Sequence, residues 1–316
     1  MSPILSVIIP TLGHSSSLSL LLQSIGQQNF DFSQLEVILI LNGADFRVKN
    51  EIEKQFEGLP YSTRLISLNE KSASRARNEG LAVARGEILF FLDDDCEVHV
   101  KNTFKYHVDQ HMQNPQMFAL GGGYLLPLNS GFFDEIYNLI QMSWFVRGQK
   151  QSKEALKDTQ YLLGGHFSVK SSMVRQNHID FDNSIAYGGS ESAFFKKAAL
   201  LGLSMKATSI EVTHHTQETM LSVMKKVIKQ GRGQALINQK LAHTEQHDTG
   251  ELQVERVDPV FKIKLWLTFY NYSFWYGYYS AIGKRSRLIG KISSDFFKFL
   301  NKKRYDLLDH LNRKNQ

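Results

Sequence analysis

Glu87-Ile88-Leu89-Phe90-Phe91-Leu92 runs straight into Asp93-Asp94-Asp95. The apolar run is short, as a strand is, and its lack of alternation fits a strand covered on both faces, as in a parallel sheet. Three adjacent carboxylates where such a strand ends repel one another and resist desolvation unless a cation neutralises them. A hard divalent ion bound by one or two carboxylates together with substrate phosphates meets that need. A polar turn leaving a strand is the plainer alternative.

The pattern repeats upstream. Leu5-Ser6-Val7-Ile8-Ile9, ended by Pro10, and the run from Leu35 to Leu41, stopped by Asn42-Gly43, read as buried strands, and Arg64 to Leu68 as another. Between them, leucines spaced for one face within Ser15 to Gln27 predict a helix. So do the charged amphipathic stretch Asp45 to Phe56 and the segment from Ser72 to Arg85, closed by Gly86. Strand and helix alternating at this spacing imply an α/β domain with parallel strands joined by crossover helices. Ligands of such sheets bind beyond the carboxyl ends of the strands. Asn42 and the three aspartates therefore fall on one rim. Downstream, Phe118 to Leu120 leads into Gly121-Gly122-Gly123, Tyr161 to Lys170 predicts a strand, Ser190 to Leu201 a helix and Ser204 to His215 a strand. From Leu221 the pattern is helical, aromatic and basic.

Four motifs in this order carry a family resemblance: Val7-Ile8-Ile9-Pro10-Thr11, Leu41-Asn42-Gly43-Ala44-Asp45, Arg75-Ala76-Arg77-Asn78-Glu79-Gly80, and Phe90-Phe91-Leu92-Asp93-Asp94-Asp95. With them the chain resembles the family 2 glycosyltransferases of GT-A fold over about its first hundred residues, and more weakly to about residue 235. The resemblance implies a GT-A Rossmann-like mixed sheet flanked by helices over residues 1–235, with a helical, basic and aromatic extension over 236–316. It implies Mn2+ or Mg2+ as cofactor, a nucleoside diphosphate sugar as donor (UDP-linked by expectation), and transfer with inversion to a hydroxyl of a glycan or lipid-linked acceptor.

Carried over residue by residue, the resemblance makes Asp95 a metal ligand and Asp93 a ribose or metal contact, with Asp94 beside them. Pro10, Thr11 and Arg77 would line the nucleotide pocket, and Arg75 would lie at the surface. Asn42 stands where the family commonly has an acid that binds the base; an Asn-Gly turn explains it equally well. In Tyr187-Gly188-Gly189-Ser190-Glu191 the family's acidic pair survives only as Glu191, the expected general base, with Ser190 in place of the first acid. A carboxylate favoured by a helix start is its plain alternative. Gly165 and His166 match a segment bordering the acceptor site, where a structural histidine is the competing reading. His214-His215 follow an apolar strand, where relatives place a metal-binding histidine. Neighbours on a strand face opposite ways, so one ion takes one of them, and spacing favours His215. Tyr124 and Trp144 are either acceptor-groove or core aromatics.

Composition bounds the rest. A single cysteine, Cys96, excludes an intrachain disulfide and a multi-thiolate zinc cluster, and suits a reducing compartment. The segment from Met1 to Gly13 lacks the basic start and long apolar run of a secretory signal. The expectation is a cytoplasmic protein at the inner face of a membrane. The net charge of +6 is local: between Lys262 and Gln316 twelve bases face three acids. That segment includes an aromatic, uncharged stretch from Trp266 to Tyr279, which suits a helix lying on anionic lipid, or else a helical cap or dimer contact, or a membrane span for which it is rather polar. No nucleic-acid motif accompanies the charge, so no nucleic acid is expected as a partner. Two rival functions stand beside transfer. One is a nucleotidyltransferase, for which Thr11-Leu12-Gly13-His14-Ser15 is a poor phosphate loop. The other is a nucleotide-sugar-binding scaffold that has lost acceptor chemistry.

Overall fold

The computed structural model describes residues 2–13, 16–43, 46–150, 154–185, 188–240 and 261–283. Ala44, Asp45, Tyr187 and the bases beyond Gly283 lie outside the described residues. In chain order the elements are β1 (Leu5–Thr11), α1 (Leu18–Gly26), β2 (Leu35–Asn42), α2 (Phe46–Lys54), β3 (Ser62–Leu68), α3 (Ala73–Val83), β4 (Ile88–Leu92) and β5 (Cys96–Glu97). There follow α4 (Thr103–Gln113), β6 (Met117–Leu125), α5 (Phe132–Arg147), β7 (Lys157–Asp158), β8 (His166–Lys170), α6 (Ser171–Gln176), α7 (Ser190–Leu200), β9 (Ser204–His214), α8 (Met220–Lys240) and α9 (Phe261–Ala281).

The strands form one mixed sheet in the order β3-β2-β1-β4-β8-β6-β9-β5, with β7 on β9. The first four, β3 to β4, are parallel; β1, β2 and β4 are buried almost throughout, as their apolar runs predict, while β3 at the edge is only half-buried. At β8 the direction reverses: it is antiparallel to both β4 and β6. The polarity change opens a crevice beyond β1, β2 and β4, and β5 folds back over it by pairing Cys96 with His214. The core is continuous around this sheet, and its centre is a stack of phenylalanines: Phe91 on Phe167 at 4.6 Å and Phe181 on Phe194 at 4.4 Å. Of the expected strand from Tyr161, only the part from His166 onward pairs in the sheet. Leu162 to Gly165 form the turn that enters β8.

Helix α4 is tied to the sheet by neutral imidazoles. Ser168 Oγ lies 2.8 Å from His107 Nδ1 and 2.9 Å from His111 Nε2, and both rings are fully buried. Burial pushes the pKa of both rings down, that of His111 to about 3. The unfolded chain, with histidines near an ordinary value of about 6.5, therefore takes up protons before the native state does. The stability these rings contribute is complete above about pH 6.5 and is lost as pH falls toward the folded values. Thermal melts should show Tm falling from pH 7 to pH 5, with a shallower slope in His111→Gln. Equal slopes would contradict a neutral buried pair.

The expected boundary at residue 235 lies inside α8. This helix and α9 cross backbone to backbone: a Cβ on Gly231 would sit 2.0 Å from the Phe274 carbonyl oxygen, and one on Gly277 2.1 Å from that of Ile228. Glycine is what allows this approach. A second apolar cluster results, in which Tyr270 is fully buried among Ile136, Tyr137, Val223 and Val227, with Trp144 and Phe274 at its margin. One face of the aromatic stretch expected to meet lipid is thus spent on protein packing, and Trp144 belongs to that packing. None of the described helices is long and apolar enough to cross a membrane.

Candidate active site

At the carboxyl edge of β1, β2 and β4 lies a cleft of about 430 Å³. Pro10, Thr11, Asn42, Arg77, Asp93, Asp94, Asp95 and His215 all line it. Of the residues predicted to bind nucleotide or metal, the fold brings together every one. Each position has a local cause. Thr11 ends β1 with its hydroxyl donating to Asp94 Oδ2 at 2.5 Å and accepting from the Gly13 amide at 2.8 Å. Asn42 ends β2, and its Oδ1 accepts from the backbone amide of Ser72 at 2.7 Å, fixing the start of α3 against the cleft. Ser72 in turn caps α3 by accepting from the Arg75 amide. Arg75 pairs with Glu70 at the surface, as expected.

Arg77 organises the far side of the cleft. It projects from the buried face of α3, its side chain 4% exposed, and pairs with Asp93 at 2.8 Å and with Glu191 at 2.7 Å. Its guanidinium also lies over the Phe181 ring at 5.7 Å. Asp93 ends β4 and Glu191 opens α7, so one cation joins two carboxylates far apart in sequence. Ser190, where an acid was expected, is buried with its hydroxyl 3.5 Å from the same guanidinium. Helix α7 starts after Gly188 and Gly189, both at positive φ. That backbone favours glycine, and it brings Glu191 to the cleft within one turn.

Between the two carboxylates runs the backbone of Gly164-Gly165. A Cβ on Gly164 would lie 2.6 Å from Glu191 Cγ, and one on Gly165 would lie 2.6 Å from Asp93 Oδ2. Gly165, an acceptor-side candidate, therefore sits at the site as a floor, with its amide donating to Tyr124 Oη at 2.8 Å. Tyr124 is a core aromatic, the second of the two alternatives, with its hydroxyl turned to the Gly165 amide at the site. His166 needs correction as an acceptor-side residue. It is fully buried, its ring is 5.8 Å from Phe90 and 5.4 Å from His107, and burial pushes its pKa down to about 4. As the partner of Leu92 in β8, it points into the layer beneath α4.

The histidine pair resolves by strand parity. His214 is buried with Nε2 3.2 Å from Asp95 Oδ1 and its ring 4.5 Å from Tyr124. His215, the one spacing favoured, bonds Glu97 Oε2 at 2.7 Å, although it also borders the cleft. The residue placed on the carboxylate is thus His214. The sequence signal that could have chosen it is the buried alternation of β9, in which Val212 and His214 are the buried positions at its end.

Electrostatically the edge is short of cations. Burial raises Asp93 above the usual carboxylate range despite Arg77, and raises Asp94 to about 7 despite Thr11, with Asp95 and Asp93 adding repulsion. Burial acts on Asp95 as well, but His214 opposite outweighs it and holds the carboxyl low. The same contact raises His214 against its own desolvation. Asp95 Oδ1 is nevertheless buried without an aligned hydrogen-bond donor. This donor set suits a hard divalent cation. Among the described residues no three ligand side chains already converge on one point, so such an ion would need oxygens from a bound diphosphate as well.

The Glycosyl transferase family 2 sequence model matches residues 6–179. Glycosyltransferase AglE of Haloferax volcanii is 34% identical over 98 residues, 31% of this chain and 32% of that protein. Poly(ribitol-phosphate) beta-N-acetylglucosaminyltransferase TarS of Staphylococcus aureus is 26% identical over 120 residues, 37% of this chain and 21% of TarS. The matches thus span a third or less of these relatives. Among solved structures, mannosyltransferase PcManGT from Pyrobaculum calidifontis, in complex with GDP-Man and Mn2+, superposes with a TM-score of 0.57 at 15% identity, covering 95% of this chain and 81% of that one. A fragment of S. aureus TarS in complex with UDP-GlcNAc gives 0.56 at 15% identity, covering 93% and 91%. These likenesses establish the fold: a mixed sheet flanked by helices, as in GT-A glycosyltransferases, with a C-terminal helix.

Proposed function

The chain belongs to glycosyl transferase family 2, and on that premise we propose that it transfers a sugar with inversion from a nucleoside diphosphate donor to a hydroxyl group, using a divalent metal. The observation that carries this is the Arg77 bridge, which joins Asp93 and Glu191 across one glycine-floored gap; in this reading the donor lies on the Asp93 side and the acceptor on the Glu191 side. Asp95, with Asp93 and His214 near it, would hold Mn2+ or Mg2+. Such an ion, when bound, supplies Lewis-acid stabilisation of the charge that grows on the leaving diphosphate.

The chain's own residues do the remainder. Pro10, Thr11 and Asn42 line the nucleoside side; with Oδ1 of Asn42 held by Ser72, its amide NH2 is the group left to donate to a base carbonyl. A UDP-linked donor fits this. The acceptor oxygen attacks the anomeric carbon from the Glu191 side as the carbon–oxygen bond to the diphosphate breaks on the aspartate side. Glu191 Oε1 is held by Arg77, which leaves Oε2 to take the hydroxyl proton. The acceptor we propose is a glycan or lipid-linked hydroxyl at the cytoplasmic face of a membrane, for which the excess of bases in the C-terminal part of the sequence supplies the argument. A panel of nucleoside diphosphate sugars, assayed for hydrolysis and transfer with Mn2+, Mg2+ and EDTA, tests the reading. Metal-dependent turnover of a donor supports it, and turnover insensitive to EDTA counts against the metal.

A further inference from the structure

Asp134, near the start of α5, pins two stretches of chain at the mouth of the cleft. Its Oδ2 accepts from the Gly131 amide, while Oδ1 accepts from Thr216 Oγ1 at 2.9 Å and from the Glu218 amide at 2.6 Å. The loop between β6 and α5 is thereby held beside the segment that leads from β9 into α8. Both present large apolar side chains to solvent: Leu125, Leu128 and Phe132 from the first, Met220 and Leu221 from the second, with Leu128 fully exposed. Single exposed leucines are ordinary, but several gathered round one pinned junction mark a contact surface.

The charge that continues from this rim along α8 is predominantly basic. Helix α8 starts with Met220-Leu221 and carries Lys225, Lys226, Lys229, Arg232 and Lys240 with no carboxylate of its own; Lys226 pairs with Glu218 and Lys240 with Asp182, both outside the helix. Leu221, Lys225, Lys229 and Arg232 are exposed at helical spacing, so the apolar tip continues into a basic stripe. Glu135 is an exposed acid next to the rim. We propose that this rim and stripe dock on an anionic lipid surface, the apolar side chains entering the interface and the bases meeting the headgroups. The cleft mouth, which shares the carboxyl ends of β6 and β9 with the rim, then faces the lipid. The surface differs from the buried aromatic face of α9, and the inference rests on exposure and charge, independently of the transfer chemistry.

Flotation of the full chain with phosphatidylcholine vesicles, with and without phosphatidylglycerol, tests it. Binding should require phosphatidylglycerol, weaken with salt, and fall at least about tenfold in both Leu128→Asp/Leu221→Glu and Lys225→Glu/Arg232→Glu. Donor hydrolysis in solution should survive in both variants, which separates this failure from failure of the transfer reading. Absence of phosphatidylglycerol-dependent binding would overturn the proposal. So would binding by both variants as strong as that of the unmodified chain, which would place the contact elsewhere in the chain. A dimer in sedimentation velocity that is lost in Leu128→Asp/Leu221→Glu, without vesicle binding, would assign the rim to a second copy instead.

Discussion

Glu191→Gln should keep donor binding and lose about 10²–10⁴-fold in transfer rate, the usual worth of a positioned general base. Glutamine preserves the shape at the start of α7 and can still accept from Arg77, so the fold and the donor side remain. What disappears is the carboxylate able to take the acceptor proton. In steady-state terms kcat falls with little change in the donor KM. Donor hydrolysis by water should fall in parallel, because the attacking water loses its proton to the same group. A variant retaining more than about a tenth of wild-type transfer would remove Glu191 from the role of base.

The second large effect is expected at Arg77. Replacing it by Met leaves Asp93 and Glu191 without their shared cation and removes the charge that offsets the buried aspartates. Breaking a buried pair costs about 3–5 kcal/mol. Because Asp93 and Glu191 keep partial contact with water, about 2–3 kcal/mol is the expected loss. Activity should fall at least about 10²-fold, since both reacting sides of the gap lose their alignment. Arg77→Lys should recover little: one ammonium cannot span two carboxylates held by separate guanidinium nitrogens. Thermal melts and kinetics on both variants check this. Full recovery by lysine would mean that charge alone matters.

Much of this arrangement is legible in the chain because the parallel strands are uninterrupted apolar runs. Ile88 to Leu92 have nowhere to go but a sheet covered on both faces, and the three aspartates then mark its carboxyl edge. Asn42 follows from the same reasoning one strand away. What stays hidden depends on strand parity and on contacts between distant segments. His214 and His215 exchange faces with a slip of one residue, and only pairing with β5 fixes which of them meets Asp95. His166 follows two glycines that border the site, yet the pleat turns it beneath α4. The Arg77–Glu191 pair joins α3 to α7, and no local pattern announces it. The aromatic stretch of α9 reads as a membrane face until the Gly231 and Gly277 crossing shows how much of it α8 covers.

The aspartate edge should bind a nucleoside diphosphate sugar through a divalent ion. Calorimetric titration of UDP-sugars into the full chain, with Mn2+ and with EDTA, tests it most directly when repeated on Asp95→Asn. Binding should need Mn2+ and be lost in Asp95→Asn while the variant's fold is retained. Binding of equal strength in EDTA, or unchanged in Asp95→Asn, would contradict it.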